Sequence, residues 1–202
     1  MIISIFLDLE YKHVYMAWSG VKRRVFVSHY RGDRNEVDKF IDYFANQLGI
    51  FTPYVLGANE NDDFINSNNP EYVMTRIREL YLKDTTVTIV LVGSCTHSRR
   101  YIDWELKSSL RQSDNYIPNG VMGIILPSQG SSANMPPRLE ANWVKGHENC
   151  YARYWIYPWS GDVLGSWIDD AYSARTSRKH LIKNSQIMMK YNKNCIVHNT
   201  TH

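Results

Sequence analysis

The stretch "TTVTIVLVG" (Thr85–Gly93) decides the fold. It is a nearly unbroken run of β-branched residues, and a strand that does not alternate apolar with polar is buried on both faces. Such strands belong to parallel sheets covered by helices, so this one is expected at the centre of the sheet. Working outward, "RRVFVSH" (23–29) reads as a strand that ends in the turn-like "YRGDRN" and leads into Val37, Phe40, Ile41, Phe44 and Leu48 at helical spacing. "FTPYVLG" (51–57) is a weaker strand whose Pro53 places it at an edge or a strand start. The Asn-rich "ANENDDFINSNNP" (58–70) is a loop, and its Pro70 suits the first turn of a helix carrying Val73, Ile77 and Leu80.

After Gly93, "SCTHSRR" offers Ser and Thr caps to a helix containing "RRYIDWELKSSLRQ" (99–112). "VMGIILP" (121–127) is a further buried strand, and 128–150, rich in Gly, Ser, Asn and Pro, is expected to be a surface loop. "YARYWIYPW" (151–159) reads as a last strand and "DVLGSWIDDAYSARTS" (162–177) as a last helix. Strand and helix alternate about five times, the pattern of an α/β flavodoxin-like three-layer fold: a mostly parallel five-stranded sheet with helices on both faces. In such sheets ligands bind beyond the carboxyl ends of the strands. That rule selects the loops Ser28 to Asp33, the Asn-rich segment before Pro70, and Gly93 to Arg100.

The 202 residues suffice for one core and are few for two. The expected organisation is an extension over 1–21, either an extra strand or the result of a start at Met16 rather than Met1, then a domain over 22–178 and a polar, cationic, loosely docked tail over 179–202. A net charge of +3 with dispersed basic residues argues against nucleic acid as a partner. Three widely separated cysteines indicate neither a zinc site nor a disulfide framework, and an odd count suits a reducing compartment. Cys95 reads as a small buried residue at a strand end, despite the nearby His97. The apolar run in "MIISIFLDLEYKH" is too short and too acidic for a signal peptide or a membrane span, so the chain is expected in the cytoplasm.

On the helix after the central strand, a turn of about 100° per residue groups Ile102, Leu106 and Leu110 into an apolar stripe. Tyr101, Glu105, Ser108 and Gln112 run along the adjoining face. Glu105 therefore flanks the buried stripe near the carboxyl edge of the sheet. Periodicity alone leaves two readings, a solvated glutamate near a helix N-terminus or a carboxylate overhanging the first loop. The first loop carries Ser28, His29, Tyr30 and Arg31 directly after a strand, where a guanidinium and helix N-terminal amides can hold phosphates. It has neither GxGxxG nor a Walker pattern. His29 alone reads more readily as a packing residue, and Asp33 as a helix cap.

Two boxes carry a resemblance. Phe26 to Asp33 resembles the first box of Toll/interleukin-receptor (TIR) domains, a strand ending in Ser and followed by Asp. "VTIVLVGSCTHSRRYIDWEL" resembles the second, a buried strand, a Ser-containing loop, then an aromatic residue with a glutamate four positions on, here Tyr101 and Glu105. The Trp104-Glu105 pair after this strand is similar in particular to the TIR-like ThsB family of the Thoeris anti-phage system, over about residues 22 to 175. The resemblance implies an NAD-consuming enzyme, a glycohydrolase or ADP-ribosyl cyclase, that makes a cyclic ADP-ribose-type signal for a separate effector.

Glu105 is then the catalytic carboxylate. On that resemblance Ser28 and His29 are expected to line the ribose, Tyr30 and Tyr101 to pack beside a ring, and Arg31 to meet the pyrophosphate. NAD is substrate, no cofactor or metal is implied, and self-association, a phage-derived trigger and no membrane contact are expected. The chain departs from the family in having Tyr101 where Trp is usual, Ile102 where Cys is usual, and His29-Tyr30 in place of an aromatic-serine pair. The rival reading is a non-enzymatic module that self-associates or recruits partners. A flavodoxin-type response domain is disfavoured because the strand ends carry no acidic cluster for a metal-assisted phosphoacceptor.

Overall fold

The computed structural model describes residues 19–56, 67, 69–113 and 116–200. The extension before residue 19 and most of the Asn-rich segment at 57–68 lie outside the described residues. Five strands, β1 (Arg23–His29), β2 (Phe51–Val55), β3 (Val87–Val92), β4 (Gly120–Ile125) and β5 (Arg153–Trp155), form one sheet. Their order is β2-β1-β3-β4-β5 with every pair parallel. This is the flavodoxin-like order, whose topological switch lies between β1 and β3. β3 is central and buried along its whole length, and the proline-bearing β2 is an edge.

Strand alternation sorts the core into two layers. Val25 and Val27 of β1, Val87, Ile89 and Leu91 of β3, and Met122 and Ile124 of β4 meet helices α1 (Arg34–Phe40) and α5 (Gly161–Ser177) on one face. Phe26, Val90, Val92 and Val121 meet α2 (Pro70–Ile77), α3 (Arg100–Ser109) and the short α4 (Pro137–Ala141) on the other.

Three features differ from expectation. Both α1 and α2 continue into π-helical turns, Ile41–Gln47 and Arg78–Leu82, closed by i to i−5 bonds from Leu48 N to Tyr43 O (3.0 Å) and Lys83 N to Arg78 O (2.8 Å). The extra residue rotates the apolar face. Val73 and Ile77 are buried as expected, but Leu80 is 45% exposed and Leu82 takes the inward place.

The connection 128–150 is not all surface: α4 within it buries Arg138 and Leu139, and Asn142 directly after it is buried too. Arg138 is fully buried because Asp103 of α3 accepts its Nε at 2.8 Å and its Nη2 at 3.3 Å. The end of the chain is docked, not loose. Trp104 Nε1 donates to Met189 O, Met189 N donates to Asp103, and Arg138 Nη1 donates to Asn184 Oδ1. The tail has few apolar residues, but it bonds the Trp104 indole and takes up the bonding capacity that the Asp103–Arg138 pair leaves over.

Candidate functional site

At the switch point the carboxyl ends of β1 and β3 lie side by side, with Ser28 paired to Val90 and His29 to Leu91. Ser28 falls on the α3 side of the sheet, and its hydroxyl donates to Glu105 Oε2 at 2.5 Å across 77 residues of sequence. Glu105 is 4% exposed. Neither sequence reading of this residue anticipated its depth: it flanks the Ile102-Leu106-Leu110 stripe, yet α3 sits so close over β1 that the flank is sealed as well. Burial pushes its carboxyl up to about 8, against the lowering effect of the Ser28 bond, so the group is largely protonated at neutral pH.

Alternation separates Ser28 from its neighbour. His29 belongs to the α1 face, where burial and then the Arg34 cation lower its pKa to about 4, partly offset by a bond to the Val27 backbone and by Asp38. It is a neutral imidazole on the other side of the sheet from Glu105. Tyr30 turns back under Arg99, whose guanidinium lies 4.0 Å from the ring centroid. Arg31 is exposed in a short turn. Tyr101 is half-buried on the same helix flank as Glu105 and packs edge-on against Trp104 at 5.1 Å. The structure thus unites Ser28 and Glu105, sets Tyr30 against Arg99 and Tyr101 against Trp104, leaves Arg31 exposed, and puts His29 on the other face of the sheet.

The loop after β3 contributes groups the sequence reading did not single out. Arg99 is 6% exposed, and its Nε and Nη2 have no hydrogen-bond partner among the described residues. The guanidinium lies on the Tyr30 face, and the nearby Asp33 carboxylate favours its charge against the cost of burial. The signal was present in "SRR", but nothing in periodicity distinguishes the buried Arg99 from the half-buried Arg100. Asp33 caps no helix with its side chain. It leans over Gly93, where any Cβ would collide with its carboxylate, and accepts from Thr96 Oγ1 at 3.4 Å. Burial raises it to about 6.

The expected Ser or Thr cap of α3 is also replaced. Arg100 N donates to Asn192 Oδ1 of the tail at 3.0 Å. The same tail segment closes a Cys95–Cys195 disulfide, with Cα atoms 5.2 Å apart. No disulfide was expected, because a separation of 100 residues carries no spacing signal and only the docked tail brings the sulfurs together. Ile196 N donates to His97 Nε2, completing a seam between the tail and this loop. Cys150 is buried as a free thiol.

A five-stranded, all-parallel sheet in the order β2-β1-β3-β4-β5 with helices on both faces is consistent with a TIR-like domain. A family model described as the TIR-like domain of the Thoeris protein ThsB matches residues 26–131, just over half of the chain, and the chain belongs to that family. The matched region runs from within β1 to beyond β4 and contains Ser28, Arg99 and Glu105. No curated protein matches the sequence. Among the described residues, no group of three or more His, Cys, Asp or Glu is placed to hold a metal ion, and no helix is long and apolar enough to cross a membrane.

Proposed function

We propose that this domain cleaves the nicotinamide–ribose bond of NAD in anti-phage defence and converts the remaining ADP-ribose into a cyclic signal read by a separate effector. The observation that supports it most is the Ser28–Glu105 contact beneath the carboxyl edge of the sheet. When the glycosidic bond breaks, its electron pair leaves with nicotinamide, the pyridinium becomes neutral, and positive charge develops at ribose C1′. A carboxylate that bonds the ribose hydroxyls stabilises that charge more than it stabilises bound NAD. Water, or a nucleophilic atom of the same ADP-ribose, then bonds to C1′ and gives its proton to solvent.

In the described arrangement Glu105 is a protonated acid capped by Ser28, which is a resting state. Contact with a ribose requires the end of β1 and α3 to part, and a cationic pyridinium arriving beside the carboxyl draws its proton off. Arg99, rather than the rim residue Arg31 alone, would receive the pyrophosphate, with Tyr30 beneath it as a platform. His29 would act from the far face by packing. A phage-derived trigger and self-association supply the opening. A cytoplasmic location, where NAD is made, would expose the Cys95–Cys195 bond to a reducing pool.

Following the NAD pool in phage-challenged cells tests this: depletion should occur with the wild-type chain and not with Glu105→Gln, and equal depletion would overturn the assignment. A second reading is favoured by the burial itself, for a sealed neutral carboxyl can serve packing in a non-enzymatic module. The 73%-exposed Trp159 is then part of a contact surface. That reading expects protection to survive Glu105→Gln and to fail in Trp159→Ala.

A further inference from the structure

At the opposite edge of the sheet, where β3 and β4 begin, lies a cleft of about 570 Å3. It adjoins a smaller one of about 200 Å3, and Arg78 and Arg111 form the saddle between them. The length of β3 puts this groove about 16 Å from the Glu105 end. Lys83 and Arg175 line the larger cleft and Lys107 the smaller, against the carboxylates of Glu79 and Glu71.

None of these five cations has a carboxylate within ion-pair reach among the described residues. By contrast Arg23, Arg24, Arg34, Arg76, Arg138, Arg153 and Arg178 are all paired. Glu79 is itself taken by Arg76 at 3.2 Å. The Arg78 Nη2 has only the Thr75 hydroxyl, at 2.8 Å, and the Arg111 guanidinium lies 5.2 Å from the Tyr116 ring. Cations at helix C-termini ordinarily offset the macrodipole, and the chain from α2 and α3 does end here. Each helix end is worth only about half a charge, however, so with Glu79 taken by Arg76 the two ends and Glu71 leave roughly three positive charges unanswered.

Two further observations agree. Burial and the nearby Arg111 lower the pKa of Arg78, so like charges crowd one another. On the floor, the buried Ser108 hydroxyl has no hydrogen-bond partner.

We propose that this groove is a second binding site, for a phosphate ester of nucleotide size, with the oxyanions seated between Arg78 and Arg111 and a ring against Tyr116 and Ile117. The volume falls in the small-ligand range, and guanidinium forks match phosphate oxygens. Tyr116 and Ile117 are exposed beside the cations and supply the apolar wall. The proposal is independent of the chemistry assigned to Glu105.

Isothermal titration of the full chain with pyrophosphate, ADP and adenosine tests it. Pyrophosphate and ADP should bind, adenosine should bind at least about tenfold more weakly, and affinity should fall with added salt. Arg111→Gln, an exposed position, and the Arg78→Gln/Arg111→Gln pair should each weaken ADP by about tenfold or more, while Glu105→Gln leaves it unchanged. ADP binding that is absent at millimolar concentration, indifferent to Arg111→Gln, or abolished by Glu105→Gln would overturn the site.

Discussion

Replacing Glu105 by Gln should stabilise the fold above neutral pH, and the size of the effect follows from its burial. The free side chain titrates at 4.5, and the folded one near 8. Below 4.5 both states carry the proton and ionisation adds no cost to burial. Between 4.5 and 8 the unfolded chain ionises while the folded one does not, so wild-type stability falls by about 1.4 kcal/mol per pH unit. The loss reaches about 3 kcal/mol at pH 7 and levels off near 5 kcal/mol above pH 8. Glutamine keeps an oxygen for the Ser28 hydroxyl and never ionises. It leaves one buried amide donor short of a partner at a cost of about 1 kcal/mol or more. The variant should therefore be slightly less stable than wild type at pH 4.5 and more stable by several kcal/mol at pH 8.5. Urea unfolding of both proteins across this range reads the difference directly. A gap that stays constant from pH 4.5 to 8.5 would refute a buried, proton-retaining carboxyl.

The same raised pKa means that kcat/KM for NAD should rise about tenfold per unit as pH climbs toward 8 and then flatten, since the free enzyme must shed that proton; a flat profile from 6 to 8 contradicts this. Arg99→Ala should raise KM for NAD about tenfold with little change in kcat, and Arg99→Lys should not rescue it, because the ammonium lacks the planar fork that lies on Tyr30. Asp103→Ala should destabilise by about 3–5 kcal/mol by stranding the 0%-exposed Arg138, and the Asp103→Leu/Arg138→Met pair should recover most of it in thermal melts. Reducing Cys95–Cys195, which spans 100 residues, should cost about 4–5 kcal/mol and speed amide exchange in residues 188–200, an effect absent in Cys195→Ser.

The sheet was readable because its signals are local. The unbroken Val87–Val92 run marks the central strand, Pro53 marks the edge, and Ile102, Leu106 and Leu110 mark the inner face of α3. Ser28 and Glu105 were legible as a pair only through the family's two boxes, since they lie 77 residues apart and periodicity could not tell a sealed flank from a wet one. What escaped was long-range polar satisfaction. The tail read as loosely docked, yet Asn192 caps α3, Met189 serves Trp104 and Asp103, and Cys195 reaches Cys95. The grouping of His29 with Ser28 failed for an elementary reason, that neighbours on a strand face opposite ways. Leu80 was misplaced because a π turn adds a residue that an even 3.6 repeat does not foresee.

The most direct test of the central claim is nicotinamide release from NAD at pH 8.5 by purified protein exposed to a lysate of phage-infected cells, for wild type and Glu105→Gln together. Release by the wild type, reduced about a hundredfold or more in a variant that is folded and at least as stable, is the predicted result. Equal release by both, or none by the wild type in the presence of that lysate, would contradict it.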